Sequence, residues 1–415
     1  MTIKNNAKTI FEFFFNMGVD FDDYDSVAAM DEDNFDFSNV CTLDTFYICF
    51  QNTKSDQCEI SYAKLEEFYN NLINEEKTED LYVLFNSKCL YRIDCHDSEF
   101  IDTLLSENNS SIESSRFEFK SNQYEINFGV GISELNFIDK IHGNYSKYYP
   151  PYEDTDIYIS LNGNGVEKLE KKELIGIVEA YLFQIKCSYD IDVFLSPREN
   201  GEYEFLYEEG IQLINPMRPL LLGDGIFDVL SLFNIASQTD DLNTKVINYT
   251  KILEYISLTV VNGNLIDKVM NKLRSKRVFS PDSNYIVEMG DIFLSNDKIS
   301  KNDGALIKEV ITNCCDVFEL KNAAPQYMKK ISKLDKGTKD EQKVEALNEV
   351  ADYIVNTRNR VSHSKPNYQG RGKISANDEQ LSELLELLKM ICEQSIRWFG
   401  NIPEKDRVTI ANSYR

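Results

Sequence analysis

The hydrophobic period changes once along this chain, and that change limits what it can fold into more than any other feature. Up to about residue 215, apolar residues come in short runs such as "TFYICF", "LYVLF", "CLYRI", "RFEFK", "YEINFGV", "TDIYISL" and "YDIDVFL". Runs rich in aromatic and β-branched residues, punctuated by Asn, Ser, Asp and Gly, predict strands. "LYVLFNSKCLYRI" and "RFEFKSNQYEINF" each set two runs round a short polar turn, so each predicts a hairpin. Helical spacing is interspersed at "YAKLEEFYNNLI" and "GVEKLEKKELIGIVEAYLFQI". Past "INPMRPLLLGDG" the period becomes three to four and stays there. Leu242, Val246, Tyr249, Leu253, Ile256 and Val260 trace one apolar face of a long helix. Further helices are predicted at "LIDKVMNKLRSK", "GALIKEVITNCCDVFEL", "DEQKVEALNEVADYIVNTR" and "NDEQLSELLELLKMICEQSIRWF", the last with Ser375 or Asn377 as its cap. At 415 residues the chain exceeds one comfortable hydrophobic core. The expected architecture is an α+β domain over residues 1–215, an all-α helical bundle over residues 220–400, and a tail over residues 401–415.

With 42% apolar and 12% aromatic residues the chain is excluded from the disordered class. It shows no basic leader before an apolar run and no apolar stretch of membrane-spanning length, so a cytoplasmic protein without a membrane segment is expected. Its nine cysteines are odd in number and form no Cys-x-x-Cys pair. Free thiols, with no metal site and no cofactor, are the expectation.

The net charge of −25 is unevenly held. Residues 1–210 carry 16 Lys and Arg against 42 Asp and Glu, while residues 211–415 carry 28 against 27. A chain split in this way can keep a locally basic surface in its second half. The segment from Lys321 to Lys339 holds six lysines against Asp335 alone, and Lys329, Lys330 and Lys333 are candidate phosphate contacts. The acidic stretch "DFDDYDSVAAMDEDNFDFSN" lacks the spacing and glycine of an EF-hand, so it reads as a solvated loop or weak helix.

The stretch that points to chemistry is "YIVNTRNRVSHSKPNY", residues 353–368. Val344, Leu347, Ala351 and Ile354 trace a helical face that continues to Arg358. A guanidinium at the end of a core-facing stripe needs an anion, and its planar fork suits phosphate. His363 follows five residues later, and a helix loosening before Pro366 brings it towards the arginine. Asn359 adds a neutral hydrogen-bonding group. The same Arg and His also suit a bland role, a helix C-cap and a charge at the helix dipole. His96 and His142 have no evident catalytic partner and read as structural or surface residues.

Arg358-Asn359-Arg360-Val361-Ser362-His363 resembles the R-x(4–6)-H motif of HEPN domains, small helical bundles of which many are metal-independent ribonucleases. The surroundings resemble the Apea-like branch found in bacterial anti-phage proteins: a long early helix with "ILEYI", a helix running into "RNRVSHSK", and a last helix ending in "RWF". The resemblance covers roughly residues 225–400. It implies a cytoplasmic endoribonuclease effector with Arg358, Asn359 and His363 as catalytic residues, and it sets Arg360 and Lys365 beside the three lysines as RNA contacts. It also implies a homodimer through the C-terminal domain and a phage-derived or host protein trigger at the N-terminal domain. HEPN toxins controlled by nucleotidyltransferases carry R-x(4)-H-x-Y, whereas Lys365 stands at that tyrosine position here and the nearest tyrosine is Tyr368. That mode of control is therefore not expected. Two alternatives stand beside the enzyme: a non-catalytic HEPN-type dimerisation or RNA-binding module, and an acidic half that mimics nucleic acid to occupy a basic partner.

Overall fold

The computed structural model describes residues 3–22, 44–95, 100, 114–146, 150–197, 216–362 and 374–409. The chain divides into two compact units, residues 1–174 with 184–220 and residues 175–183 with 221–415.

The first unit begins with helix α1 (Ile3–Asn16), which the aromatic-rich N-terminal sequence does not announce. Strands β1 (Val19–Asp22), β2 (Thr45–Phe50) and β3 (Cys58–Ser61) form a three-stranded antiparallel sheet. The acidic stretch expected as loop or weak helix therefore starts as a strand, because Asp20 and Asp22 alternate with the buried Val19 and Phe21 in register with β2. Its continuation from Asp23 lies outside the described residues. Helix α2 (Tyr62–Leu72) follows directly, its N-terminus capped by the Ser61 side chain accepting from Lys64 N–H.

A larger sheet is built from β4 (Glu75–Thr78), β5 (Tyr82–Phe85), β6 (Lys88–Cys95), β7 (Ser115–Phe119), β8 (Asn122–Val130), β9 (Ile157–Asn162) and β10 (Val193–Leu195). Its order is β4-β5-β6-β9-β8-β7, with β10 paired to the far end of β6. Both predicted hairpins form, β5 with β6 and β7 with β8, each antiparallel. Helix α3 (Glu134–His142) packs on this frame, and His142 is exposed in its last turn. One apolar cluster joins α1, α2 and α3 to both sheets, with the Phe14 and Phe137 rings 4.9 Å apart. Two ion pairs are drawn into it: Arg92 donates to Asp139 at 2.6 Å, and Lys88 to Glu134 at 2.9 Å.

The helix expected from Gly165 instead opens as a short 3-10 turn, Val166–Lys168, and restarts as α4 (Lys171–Tyr189). Glu170 and Glu173 form a capping box there, which sets the true start. Residues 175–183 of α4 belong to the second unit. Because α4 runs to Tyr189, the strand expected from "YDIDVFL" shrinks to β10.

Among the described residues the second unit is helical throughout: α5 (Ile226–Gln238), α6 (Leu242–Leu273), α7 (Ser283–Ser300), α8 (Asp303–Cys314), α9 (Val317–Ala323), α10 (Lys329–Ser332), α11 (Asp340–Ser362) and α12 (Leu381–Asn401). Two expected helices fuse into α6, because Asn262, Gly263 and Asn264 look like a turn but sit inside a continuous backbone ladder. One expected helix splits into α8 and α9: Cys315 is extended and Asp316 caps a new start, accepting from Phe318 and Glu319 N–H. Helix α7 is not apparent from the sequence period. Asn377 caps the entry to α12 through a box with Gln380. The stretch drawn as a tail is packed as far as Thr409. Arg407 there is buried and donates to the carbonyls of Ile402, Asp224 and Gly400.

The core of this unit is the α6 face predicted from the sequence, with Val246, Tyr249, Leu253, Ile256 and Val260 all buried against the neighbouring helices. Among the described residues no helix is long and apolar enough to cross a membrane. The eight described cysteines are free thiols, and burial pushes Cys315 up to about 12.

Two substitutions test this packing. Alanine at Gly176 improves helix propensity by about 1 kcal/mol, yet its Cβ would fall inside the Phe227 ring. Gly176→Ala should therefore destabilise the protein by about 1–3 kcal/mol in chemical denaturation, and a stabilised variant would refute the close approach. Burial raises the Glu179 carboxyl above its ordinary value, with the Asn234 amide pulling it back. A raised folded value means stability that is full below the unfolded carboxyl's range and lost as pH rises through the folded one. Glu179→Gln should thus melt above the parent at about pH 8, with the gap closing towards about pH 4. A gap of constant size would contradict the burial of this charge.

Candidate functional site

Helix α11 builds one wall of the site. Its buried residues Ala346, Leu347, Val350, Ala351, Tyr353, Ile354 and Thr357 confirm an apolar face, but Val344 is 44% exposed and stands outside it. The face therefore begins at Ala346 and Leu347. One turn beyond Ile354 it delivers Arg358 to the bundle surface, where the side chain is 25% exposed.

The guanidinium is not waiting for an anion, because it already has one. Nη2 donates to Glu254 Oε1 at 2.7 Å, and Nη1 donates to Asn359 Oδ1 at 3.2 Å. Asp303 Oδ2 lies 3.9 Å from the same Nη2. Glu254 comes from α6, from a helical turn whose neighbours Leu253 and Ile256 are core residues. Asp303 is the first residue of α8, placed by Asn302, whose side chain accepts from Ala305 N–H. Gly304 lets this start approach α11: an added Cβ would lie 3.2 Å from Val355 Cγ1. Burial raises the Glu254 carboxyl above its ordinary value, while the Arg358 charge pulls it down and Asp303 pushes it up again.

A polar cleft of about 310 Å³ opens here, lined by Lys301, Asn302, Asp303 and Gly304 on one side, by Val355, Arg358 and Asn359 on the other, and by Ile307. Of the residues singled out in the sequence, the cleft brings together Arg358 and Asn359. His363 and Lys365 lie outside the described residues. Arg360 turns to Asp378, donating from Nη1 at 2.7 Å, and its Nε and Nη2 are buried without a hydrogen-bond partner among the described residues.

Lys329, Lys330 and Lys333 are exposed on and just after α10. That short helix is tied to the middle of α11 by Glu349, which accepts from the Lys330 and Ile331 N–H groups, while Lys330 Nζ lies 3.5 Å from Glu345. Glu349 precedes Arg358 by nine residues, a helical rise of roughly 14 Å. The lysines thus form a separate patch, and the lysine that lines the cleft beside Arg358 is Lys301, held 2.7 Å from Asp297. Sequence reasoning missed Lys301, Asp303 and Glu254. A signal existed for two of them: Asn302-Asp303 is a helix-start pattern, and Glu254 is an acid inside an otherwise apolar run.

The arrangement is an arginine oriented by carboxylates at the edge of a polar cleft, suited to holding an anion that can compete with them. No protein-family model matches this chain, and no curated protein or solved structure matches it.

The Arg358–Glu254 pair is measurable by a double-mutant cycle. Arg358→Met should lower stability by about 1–2 kcal/mol, between the exposed and buried limits for an ion pair. Combining it with Glu254→Gln should cost less than the sum by about 0.5 kcal/mol or more in urea unfolding. Strict additivity would mean that the pair carries no energy.

Proposed function

We propose that the helical unit is a HEPN-type endoribonuclease, the effector of a bacterial anti-phage system, which cuts RNA without a metal ion. The observation that carries this reading is the placing of Arg358 beside Asn359 on a polar cleft, one helical turn before the chain runs to His363. In this reading His363, whose unperturbed side chain titrates at about 6.5, takes the proton of an RNA 2′-hydroxyl. The freed oxygen attacks the neighbouring phosphorus. The bond to the 5′ oxygen breaks, and that oxygen leaves with the proton that the His363 imidazolium gives back. The products are a 2′,3′-cyclic phosphate and a 5′-hydroxyl.

Arg358 stabilises the charge that builds on the phosphorane, and Asn359 adds a hydrogen bond. A guanidinium has five N–H donors, so Glu254 and Asn359 leave donors over for phosphate. Glu254 fixes the plane of the fork beforehand, which lowers the reorganisation needed at the reacting phosphate. The exposed Lys329, Lys330 and Lys333 extend RNA contact along α11, with Arg360 inside the motif and Lys365 two residues past it. Two copies pair through this unit, each with its own motif, and the acidic first unit restrains the effector until a phage or host protein engages it.

One observation favours a second reading. The Arg358 charge is already met by Glu254, with Asp303 nearby, as in an arginine whose work is to fasten α11 to α6 and α8. In that case the unit is a non-catalytic dimerisation or RNA-binding module.

His363→Ala separates the two. Total RNA incubated with the purified protein in EDTA should be cut to 2′,3′-cyclic ends, and the variant should lose at least about a hundredfold in rate. Its melting temperature should match the parent's, because His363 carries the chemistry and not the Arg358–Glu254 contact. A folded His363→Ala protein that cuts like the parent, or a parent that needs Mg²⁺ to cut at all, would overturn the proposal.

A further inference from the structure

We infer that the cleft beside Arg358 is a nucleobase subsite, with Asp303 as its specificity residue, and that it selects guanine next to the phosphate held by the arginine. The inference rests on the reading of this cleft as an RNA site and adds to it the base that the site takes.

Asp303 is the group in the cleft without a structural task. Glu254 holds the Arg358 guanidinium at 2.7 Å, whereas Asp303 Oδ2 lies 3.9 Å from the same nitrogen, beyond a hydrogen bond. Nor does Asp303 cap its own helix, because Asn302 does so by accepting from Ala305 N–H. Among the described residues no donor lies within hydrogen-bonding distance of the Asp303 carboxylate, and its side chain is 69% exposed. An uncommitted carboxylate beside a phosphate-binding arginine opposes RNA by its charge, unless the RNA brings donors to it.

The rest of the cleft supplies donors and room for a ring. Asn359 Oδ1 accepts from Arg358, which leaves the N–H groups of that amide over. Lys301 gives one N–H to Asp297 and keeps two. Ile307 and Val355 provide apolar contact for the face of a base. At about 310 Å³ the cleft stands at the low end of small-molecule sites, roughly 300–1,000 Å³, a size for one nucleotide and not for a duplex.

Unpaired RNA bases are read along their Watson–Crick edges. The edge of guanine sets two neighbouring donors, N1–H and N2–H, beside one acceptor, O6. The two oxygens of a carboxylate accept both donors at once, and an N–H of Lys301 or Asn359 meets O6. Adenine and cytosine each offer one amino donor with a ring-nitrogen acceptor next to it, which repels the second carboxylate oxygen. Uracil offers a single N–H between two carbonyls. An acceptor pair flanked by donors therefore fits guanine and disfavours the other three.

The test uses the full chain and uridine oligonucleotides that carry one guanosine, inosine, adenosine or cytidine at the centre. Cleavage is read on the parent, and binding is read on His363→Ala by fluorescence anisotropy. Guanosine should be preferred to adenosine and cytidine by at least about tenfold in both readouts. Inosine lacks the 2-amino group, so on the unchanged protein it should fall about tenfold below guanosine. Asp303→Asn should remove the guanosine preference; a folding defect lowers all four substrates alike, so the ratio reports selection alone, and the inosine comparison decides even where this variant folds poorly. Equal handling of the four oligonucleotides, inosine as good as guanosine, or a preference that survives Asp303→Asn would overturn the inference. Guanosine-selective binding without any cleavage sustains the subsite and sinks the ribonuclease, cleavage without base preference does the reverse, and neither binding nor cleavage sinks both. Free guanosine monophosphate should compete with the oligonucleotide. If it instead speeds the cutting of guanosine-free RNA, the cleft takes an effector nucleotide and the inference falls.

Discussion

Helix α6 is longer than the bundle it organises, and most of the second unit follows from that mismatch. Its buried face runs from Val246 to Val261 and receives α5, α8, α11 and α12. Each fully buried apolar side chain on that face contributes about 1.5–3 kcal/mol, so the helix is held firmly at this end. The side of the same stretch carries Glu254 to Arg358. The turns beyond Val261 hold α7 through Tyr285 and leave Ile266, Met270 and Leu273 exposed. One helix thus orients the arginine and supplies an uncovered apolar surface some turns later.

Electrostatics in the second unit is local. Its near balance of charge does not come from a bare basic surface facing an acidic one. Arg358 meets Glu254, Arg360 meets Asp378, Lys301 meets Asp297, and Lys330 lies near Glu345. An incoming polyanion therefore competes with carboxylates already in place, and its affinity depends on how much each exchange costs. At Arg358 that cost is moderated, because Glu254 is half-buried and its charged form is disfavoured by desolvation. The carboxylate is a guide for the guanidinium and at the same time a rival to phosphate.

The first unit handles its acidity differently. Glu134 and Asp139 are fully buried and each is met by a cation from β6, Lys88 and Arg92. Breaking such a pair by removing one partner strands a charge in the core, which costs about 3–5 kcal/mol. These two pairs fasten α3 to the larger sheet beside the buried Leu135, Phe137 and Ile138.

What the sequence by itself determined follows from period and turn chemistry, which are local. The β5–β6 and β7–β8 hairpins, α2, the buried stripe of α6, a cap at Ser375 or Asn377 ahead of α12 and the position of Arg358 at the end of a buried face all required only neighbours in the chain. Helix boundaries that depend on context did not follow. Gly263 reads as a breaker and is not one, Cys315 reads as helix and is extended, and α7 lacks a strong period because its apolar residues fall on two faces, Tyr285, Met289 and Ile292 covered and Ile286, Val287, Phe293 and Leu294 exposed. Only the tertiary structure decided which groups share the cleft. Glu254, Asp303 and Arg358 lie 49 to 104 positions apart, and no local pattern encodes a meeting set by how α6, α8 and α11 pack. It also decided that the lysines of α10 stand a helical length away from the arginine. Spacing along the chain names the chemical groups, while distance in space, set by the packing of buried faces, decides which of them act together.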